Sequence, residues 1–162
     1  MRKVACFLCW INYYRHDILY VNQPNYQEVS ILKKLLASPG KCTGCGVCES
    51  SCSKAWYKVD DRGKSCIRVS ERDSGGYDIA VCDQCGDCRS MCSMMSLVAD
   101  KTGVVRLDKK TCVGCLICVA ECLRGYMFYN DSLPTPFKCV ACGICAKACP
   151  SGALEIAKGV SE

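Results

Sequence analysis

Apolar residues along this chain come in short bursts, never in long runs. After Met1-Arg2-Lys3, a first burst runs from Val4 to Ile11. Over Val29–Leu36, the positions of Ile31, Leu32, Leu35 and Leu36 have helical spacing, and Ser38-Pro39-Gly40 supplies the stop. Beyond residue 40 one pattern recurs. Short, largely apolar stretches lie at Ser53–Val59, Ser93–Ala99, Leu123–Tyr129 and Pro150–Ile156. Turn-prone segments follow the first three: Asp60-Asp61-Arg62-Gly63, Asp100-Lys101-Thr102-Gly103 and Asn130-Asp131-Ser132. After the first two of these, strand patterns resume at Ile67–Val69 and Val104–Leu107, so both places read as hairpins. The expected unit is loop, short helix, then strand, which makes the fold class α+β, built of small repeated modules.

Composition changes that picture in one respect. The chain has 162 residues, the size of one domain, and half count as hydrophobic, but 19 of them are cysteine and aromatics are only 8%. The ordinary apolar core is therefore thin, and something besides side-chain burial must hold the fold. Cysteine at this density marks either a disulfide scaffold or a metal protein. The Val4–Ile11 run is short and no small-residue cleavage site closes it, so it does not read as a signal peptide. Nor does any stretch approach the roughly 20 apolar residues of a membrane span. The chain is read as cytoplasmic, where cysteines bind metals more often than they pair.

The cysteines are ordered. Cys42, Cys45, Cys48 and Cys52 form one run; Cys82, Cys85, Cys88 and Cys92 a second; Cys112, Cys115, Cys118 and Cys122 a third; Cys139, Cys142, Cys145 and Cys149 a fourth. Each has the spacing C-x2-C-x2-C-x3-C, which holds 4Fe–4S clusters in bacterial ferredoxins. A lone C-x2-C pair would fit zinc equally well, but zinc ribbons rarely place a third cysteine at the same interval. Three thiolates in a tight loop cap three irons of a cube, and the loop amides face its sulfides. Gly44, Gly46, Gly86, Gly114 and Gly143 let the backbone come close. The fourth cysteine of a run ligates the other cluster of a pair. Sixteen ligands make four clusters, and the cross-linking they provide replaces the missing core.

Residues 41–156 resemble the four-cluster ferredoxin-like subunits of multisubunit oxidoreductases. The resemblance rests on the four runs, on Lys64–Val69 followed by Val81–Cys85, on Lys138–Gly143, and on Cys149-Pro150-Ser151-Gly152-Ala153-Leu154. It implies tandem bacterial-ferredoxin-like modules over 41–158. Residues 1–40 lie outside the resemblance and read as an N-terminal extension that either contacts a partner or packs as a helix on its own module. It also implies nested pairing of the runs, first with fourth and second with third. One cluster then takes Cys42, Cys45, Cys48 and Cys149, and the next takes Cys139, Cys142, Cys145 and Cys52. The inner pair would be Cys82, Cys85, Cys88 with Cys122, and Cys112, Cys115, Cys118 with Cys92. Gap lengths alone leave sequential pairing open. Only Cys149 is followed by proline; Ser53, Ser93 and Leu123 stand at the other three places. Within the family, the size and regular runs look most like the small subunit partnering tungsten enzymes of the aldehyde:ferredoxin oxidoreductase type, such as tungsten-dependent benzoyl-CoA reductase. The resemblance implies a catalytic tungsten or molybdenum subunit as partner and a further electron carrier.

Charge then needs reinterpretation. The formal net charge is +5, but an oxidised cluster with four ionised thiolates carries about −2, so four bring the total to roughly −3. Lys and Arg thus compensate cluster charge, and no nucleic-acid partner is expected. Asp83 and Asp87 lie between ligands of the second run and predict the lowest potential there, while Lys138 and Lys147 predict a higher one at the fourth. Trp56, Tyr57, Tyr126, Phe128 and Tyr129 are expected to wall clusters from water. Cys6, Cys9 and Cys66 fall short of a further cubane set, even with His16, and read as plain thiols. No catalytic triad, phosphate-binding loop or flavin fingerprint appears, and there is a single histidine. The expected role is a non-catalytic electron-transfer subunit bound to a redox enzyme. The alternatives are a free polyferredoxin, or the ferredoxin-like partner of a hydrogenase, formate dehydrogenase or carbon monoxide dehydrogenase.

Overall fold

A computed structural model describes residues 33–157. The Cys6–Cys9 pair, His16 and the first part of the helix expected over 29–36 lie outside the described residues.

Among the described residues four α-helices form, and each begins immediately before the third cysteine of a run: α1 at Val47–Tyr57, α2 at Asp87–Ser90, α3 at Ile117–Ala120 and α4 at Ile144–Ala148. The six strands are β1 (Lys34–Ala37), β2 (Ile67–Glu71), β3 (Tyr77–Val81), β4 (Leu97–Ala99), β5 (Val105–Leu107) and β6 (Leu154–Ala157). They make three two-stranded antiparallel sheets, β1–β6, β2–β3 and β4–β5. The mixed α+β class expected from sequence is what forms.

Three local expectations differ. Lys34–Leu36 is strand, not helix: Leu35 is buried and Leu36 exposed, the period-2 alternation of a strand. Pairing with Leu154–Ala157 overrides the helical spacing, with Leu35 opposite Ile156. Ser53–Val59 does not form a strand either. α1 runs on to Tyr57 and ends on Lys58, whose backbone is left-handed at φ 62°. The partner of Ile67–Val69 is instead Tyr77–Val81, across a turn in which Gly75 and Gly76 both have positive φ. The second hairpin forms as expected from Leu97–Ala99 and Val105–Leu107. The third apolar stretch forms only a bridge from Phe128 to Phe137.

Sulfur supplies much of the interior. The larger buried cluster comprises Leu35, Ile67, Val81, Phe137 and Leu154 together with Cys48, Cys52, Cys66, Cys82, Cys139 and Cys145. The smaller one is Leu97, Val105, Cys118 and Met127. Tyr57 meets Phe137 edge-on with centroids 5.6 Å apart, and the Arg68 guanidinium lies 4.5 Å over Phe128, which closes one side of the larger cluster.

Candidate iron–sulfur sites

The cysteine loops share one backbone conformation. The residue just before the second cysteine is left-handed in all four: Gly44 (φ 69°), Gln84 (67°), Gly114 (70°) and Ala141 (48°). So is the residue just after it: Gly46 (70°), Gly86 (92°), Leu116 (60°) and Gly143 (83°). Left-handed residues alternating with ordinary ones turn successive N–H groups to one side, the nest that binds anions. Three of these eight residues are not glycine, yet the conformation persists. Outward, the four loops also agree: Cys45, Cys85, Cys115 and Cys142, each second in its run, are exposed.

Four cavities of similar size, each open to solvent, lie against the loops. One is lined by Cys42, Cys45, Cys48 and Cys149, with about 310 Å³ of space that includes its open mouth. Another is lined by Cys139, Cys142, Cys145 and Cys52, with Cys66 beside them, at about 340 Å³. The third is lined by Cys82, Cys85, Cys88 and Cys122 at about 410 Å³, the fourth by Cys112, Cys115, Cys118 and Cys92 at about 340 Å³. In every case the fourth sulfur comes from a different run than the other three. The exchange arises because Cys48 and Cys52 lie on successive turns of α1 and look toward different cavities, and α1 packs against α4, which leads into Cys149.

Three observations bear on what these cavities can hold. First, among the described residues no three His, Cys, Asp or Glu side chains gather closely enough for a single ion. The sulfurs ring a space, whereas a zinc site draws four of them to one point at about 2.3 Å. Second, donors surround the sulfurs: backbone N–H groups of Gln84, Ser96, Tyr126 and Ala141 donate to Cys82, Cys92, Cys122 and Cys139 at 3.2–3.4 Å. The hydroxyl of Ser96, which lines the fourth cavity, is buried with no partner. Third, Lys138 is only 6% exposed, and its Nζ lies 3.5 Å from Cys82 Sγ. A buried cation needs a nearby anion, and the sulfur-ringed cavity is where one would sit. Anionic sulfur clusters fit all three.

Burial pushes the Cys48, Cys88 and Cys139 thiols up to about 11 and Cys145 to about 12. Cys52 is held low, chiefly because the Cys66 thiol donates to it, and Cys66 is raised by the same bond. The Cys66 backbone N–H also reaches Cys52 Sγ at 3.3 Å. Cys66, read from the sequence as a plain thiol, is thus a buried neighbour of one candidate ligand.

The sequence-based ranking of potentials loses its premise. Asp83 is paired with Arg124, Asp87 and Lys147 are exposed, and the Lys138 ammonium lies on Cys82 Sγ of the second run and on the Cys139 carbonyl. Of the expected shielding aromatics, Tyr126 lines the third cavity, and Tyr57 and Phe128 pack on the core. Trp56 lines the Cys139 cavity but is 48% exposed, and Tyr129 is 45% exposed. Gln84 escaped the sequence reading. Its signal was a glutamine standing where two other copies of the loop carry glycine.

Known proteins give the same chemistry. The family model described as "4Fe-4S binding domain" matches residues 135–155. An uncharacterized ferredoxin of Methanocaldococcus jannaschii is 30% identical over 78% of this chain and 73% of its own length. The thiosulfate reductase electron transfer subunit of Salmonella typhi is 27% identical over 76% of this chain and 74% of its own. The beta subunit of NADH-dependent phenylglyoxylate dehydrogenase from Aromatoleum evansii is 34% identical over 72% of this chain, which spans only 28% of that subunit's length. Among solved structures, the active site complex of benzoyl coenzyme A reductase with benzoyl-CoA aligns at TM-score 0.46 and 21% identity, covering 79% of this chain and 80% of that one. No helix among the described residues is long and apolar enough to cross a membrane.

Proposed function

The chain belongs to the 4Fe–4S ferredoxins, and from that premise we propose that it is a four-cluster electron-transfer subunit. It relays single electrons to or from a catalytic redox subunit carrying tungsten or molybdenum, with a further electron carrier at the other end of the path. It performs no substrate chemistry itself. The observation that carries the count is that all sixteen run cysteines line four cavities of similar size, four to each.

The ligand sets of this reading are Cys42, Cys45, Cys48 with Cys149; Cys139, Cys142, Cys145 with Cys52; Cys82, Cys85, Cys88 with Cys122; and Cys112, Cys115, Cys118 with Cys92. When bound, each cluster supplies a one-electron couple. The chain does the rest. The run thiolates would hold the irons, the left-handed loop residues turn backbone amides toward the cavities, and buried Cys48, Cys118 and Cys145 would keep water from the inner faces. The exposed second cysteine of each run leaves one thin edge where an electron can leave or enter. Support for a bound subunit comes from the thiosulfate reductase relative, named as an electron transfer subunit, and from exposed apolar side chains on the cavity linings, Leu123 at the third and Met91 and Met94 at the fourth.

Anaerobic co-purification with metal analysis tests the reading. A stoichiometric larger subunit containing tungsten or molybdenum, with about sixteen iron atoms on this chain, is expected. A lone monomer with the same iron would make it a free polyferredoxin. Markedly less iron would sink the four-cluster count.

A further inference from the structure

Lys138 and Gln84 form a buried polar joint between two of the cavities. The Lys138 ammonium contacts Gln84 Oε1 at 2.6 Å, the Cys139 carbonyl at 3.2 Å and Cys82 Sγ at 3.5 Å. No carboxylate is bonded to it among the described residues. Gln84 Nε2 donates to the same Cys139 carbonyl at 2.8 Å, and Gln84 Oε1 also accepts from the Val105 N–H at 3.1 Å. Both side chains are buried, at 6% and 3% exposure. Gln84 holds this place in a left-handed conformation that glycine would adopt without strain. Its side chain steadies the ammonium.

We propose that Lys138 is a built-in counter-ion for the cluster held by Cys82, Cys85, Cys88 and Cys122, raising its reduction potential at the joint with the Cys139 cluster. The inference rests on the four-cluster reading. Reduction adds one electron and no proton, so the cluster with its thiolates gains one negative charge. A fixed cation beside a ligand sulfur favours that reduced state. The other charges facing this cavity are weaker. Asp83 is paired with Arg124 at the rim, and Asp87 is exposed to solvent that screens it. The buried ammonium is screened much less, so its sign prevails. An electron passing between the two halves of the chain therefore meets a site biased toward holding it.

The test is an anaerobic, EPR-monitored potentiometric titration of the full iron-loaded chain with dithionite as reductant. Lys138→Met is expected to keep the iron of the unsubstituted chain. One couple should fall so that its oxidised-to-reduced ratio at a fixed potential rises at least tenfold, which is about 59 mV for one electron. Lys138→Arg should restore it. Full iron with no couple moved overturns the proposal. If Lys138→Met loses iron, Lys138→Gln, which keeps a donor for the Cys139 carbonyl, takes its place in the titration. Loss of one cluster in both neutral variants but not in Lys138→Arg supports a charge requirement; loss in all three assigns the lysine to packing and overturns the proposal. If the unsubstituted chain itself binds well under sixteen iron, it is the four-cluster reading that fails.

Discussion

Gly114 holds φ 70°, and a Cβ built on it would lie 2.6 Å from the carbonyl oxygen of Pro134. That neighbour is backbone and has little room to move. Gly114→Ala should therefore cost about 2 kcal/mol from the left-handed conformation alone, and more from the contact. The expected result is a lower apparent melting temperature with partial loss of iron. Gln84, Ala141 and Leu116 show that the chain tolerates such backbone strain at equivalent places. Cys66 makes a sharper case. Four other sulfurs already ring its cavity, so Cys66→Ala should leave the iron content of the chain unchanged while lowering one couple, because Cys52 loses the thiol donor and keeps only the backbone N–H of residue 66. Iron analysis decides it: loss of about four iron atoms would make Cys66 a ligand.

At the scale of elements, the β4–β5 hairpin turns on one carboxylate. Asp100 accepts from the Thr102 hydroxyl at 2.6 Å, the Thr102 and Val104 amides at 2.8 and 3.2 Å, and Arg106 Nε at 2.7 Å. Those bonds, the Thr102 hydroxyl first, hold its carboxyl well below the usual range. A depressed carboxylate adds stability above its unfolded pKa of about 4 and loses it as pH falls through the folded value. Asp100→Ala should destabilise the chain by about 1–2 kcal/mol at neutral pH, partly screened by solvent. The difference from the unsubstituted chain should shrink in acid. Its turn was legible in the sequence, since Asp-Lys-Thr-Gly between two apolar stretches is a local signal. The cysteine runs were legible for the same reason: their spacing is local chemistry. Lys34–Ala37 was not, because its strand exists only through a partner more than a hundred residues away. The end of α1 was hidden too, since short apolar runs fit helix and strand alike. Lys138 stands next to Cys139 in sequence, and only the packing of the second loop reveals that it faces Cys82.

For the molecule as a whole, proton competition governs loading. Buried thiols that stay protonated to about 11 must lose their protons to bind iron. At fixed iron and sulfide, cluster loading should increase from pH 7 to pH 9 and fall on acidification, followed by the visible absorbance of the clusters. The thin apolar core makes this loading a folding event as well as a redox one. The β1–β6 sheet carries a different consequence. Because Lys34 and Ala157 are directly opposite each other across β1 and β6, the strands that open and close the described fold end about 5 Å apart. A fold whose entrance and exit share one doorway can be spliced into a surface loop of a longer polypeptide without stretching either side. The four-run unit is thus a cassette, able to travel as a separate chain or as a passage within a larger one.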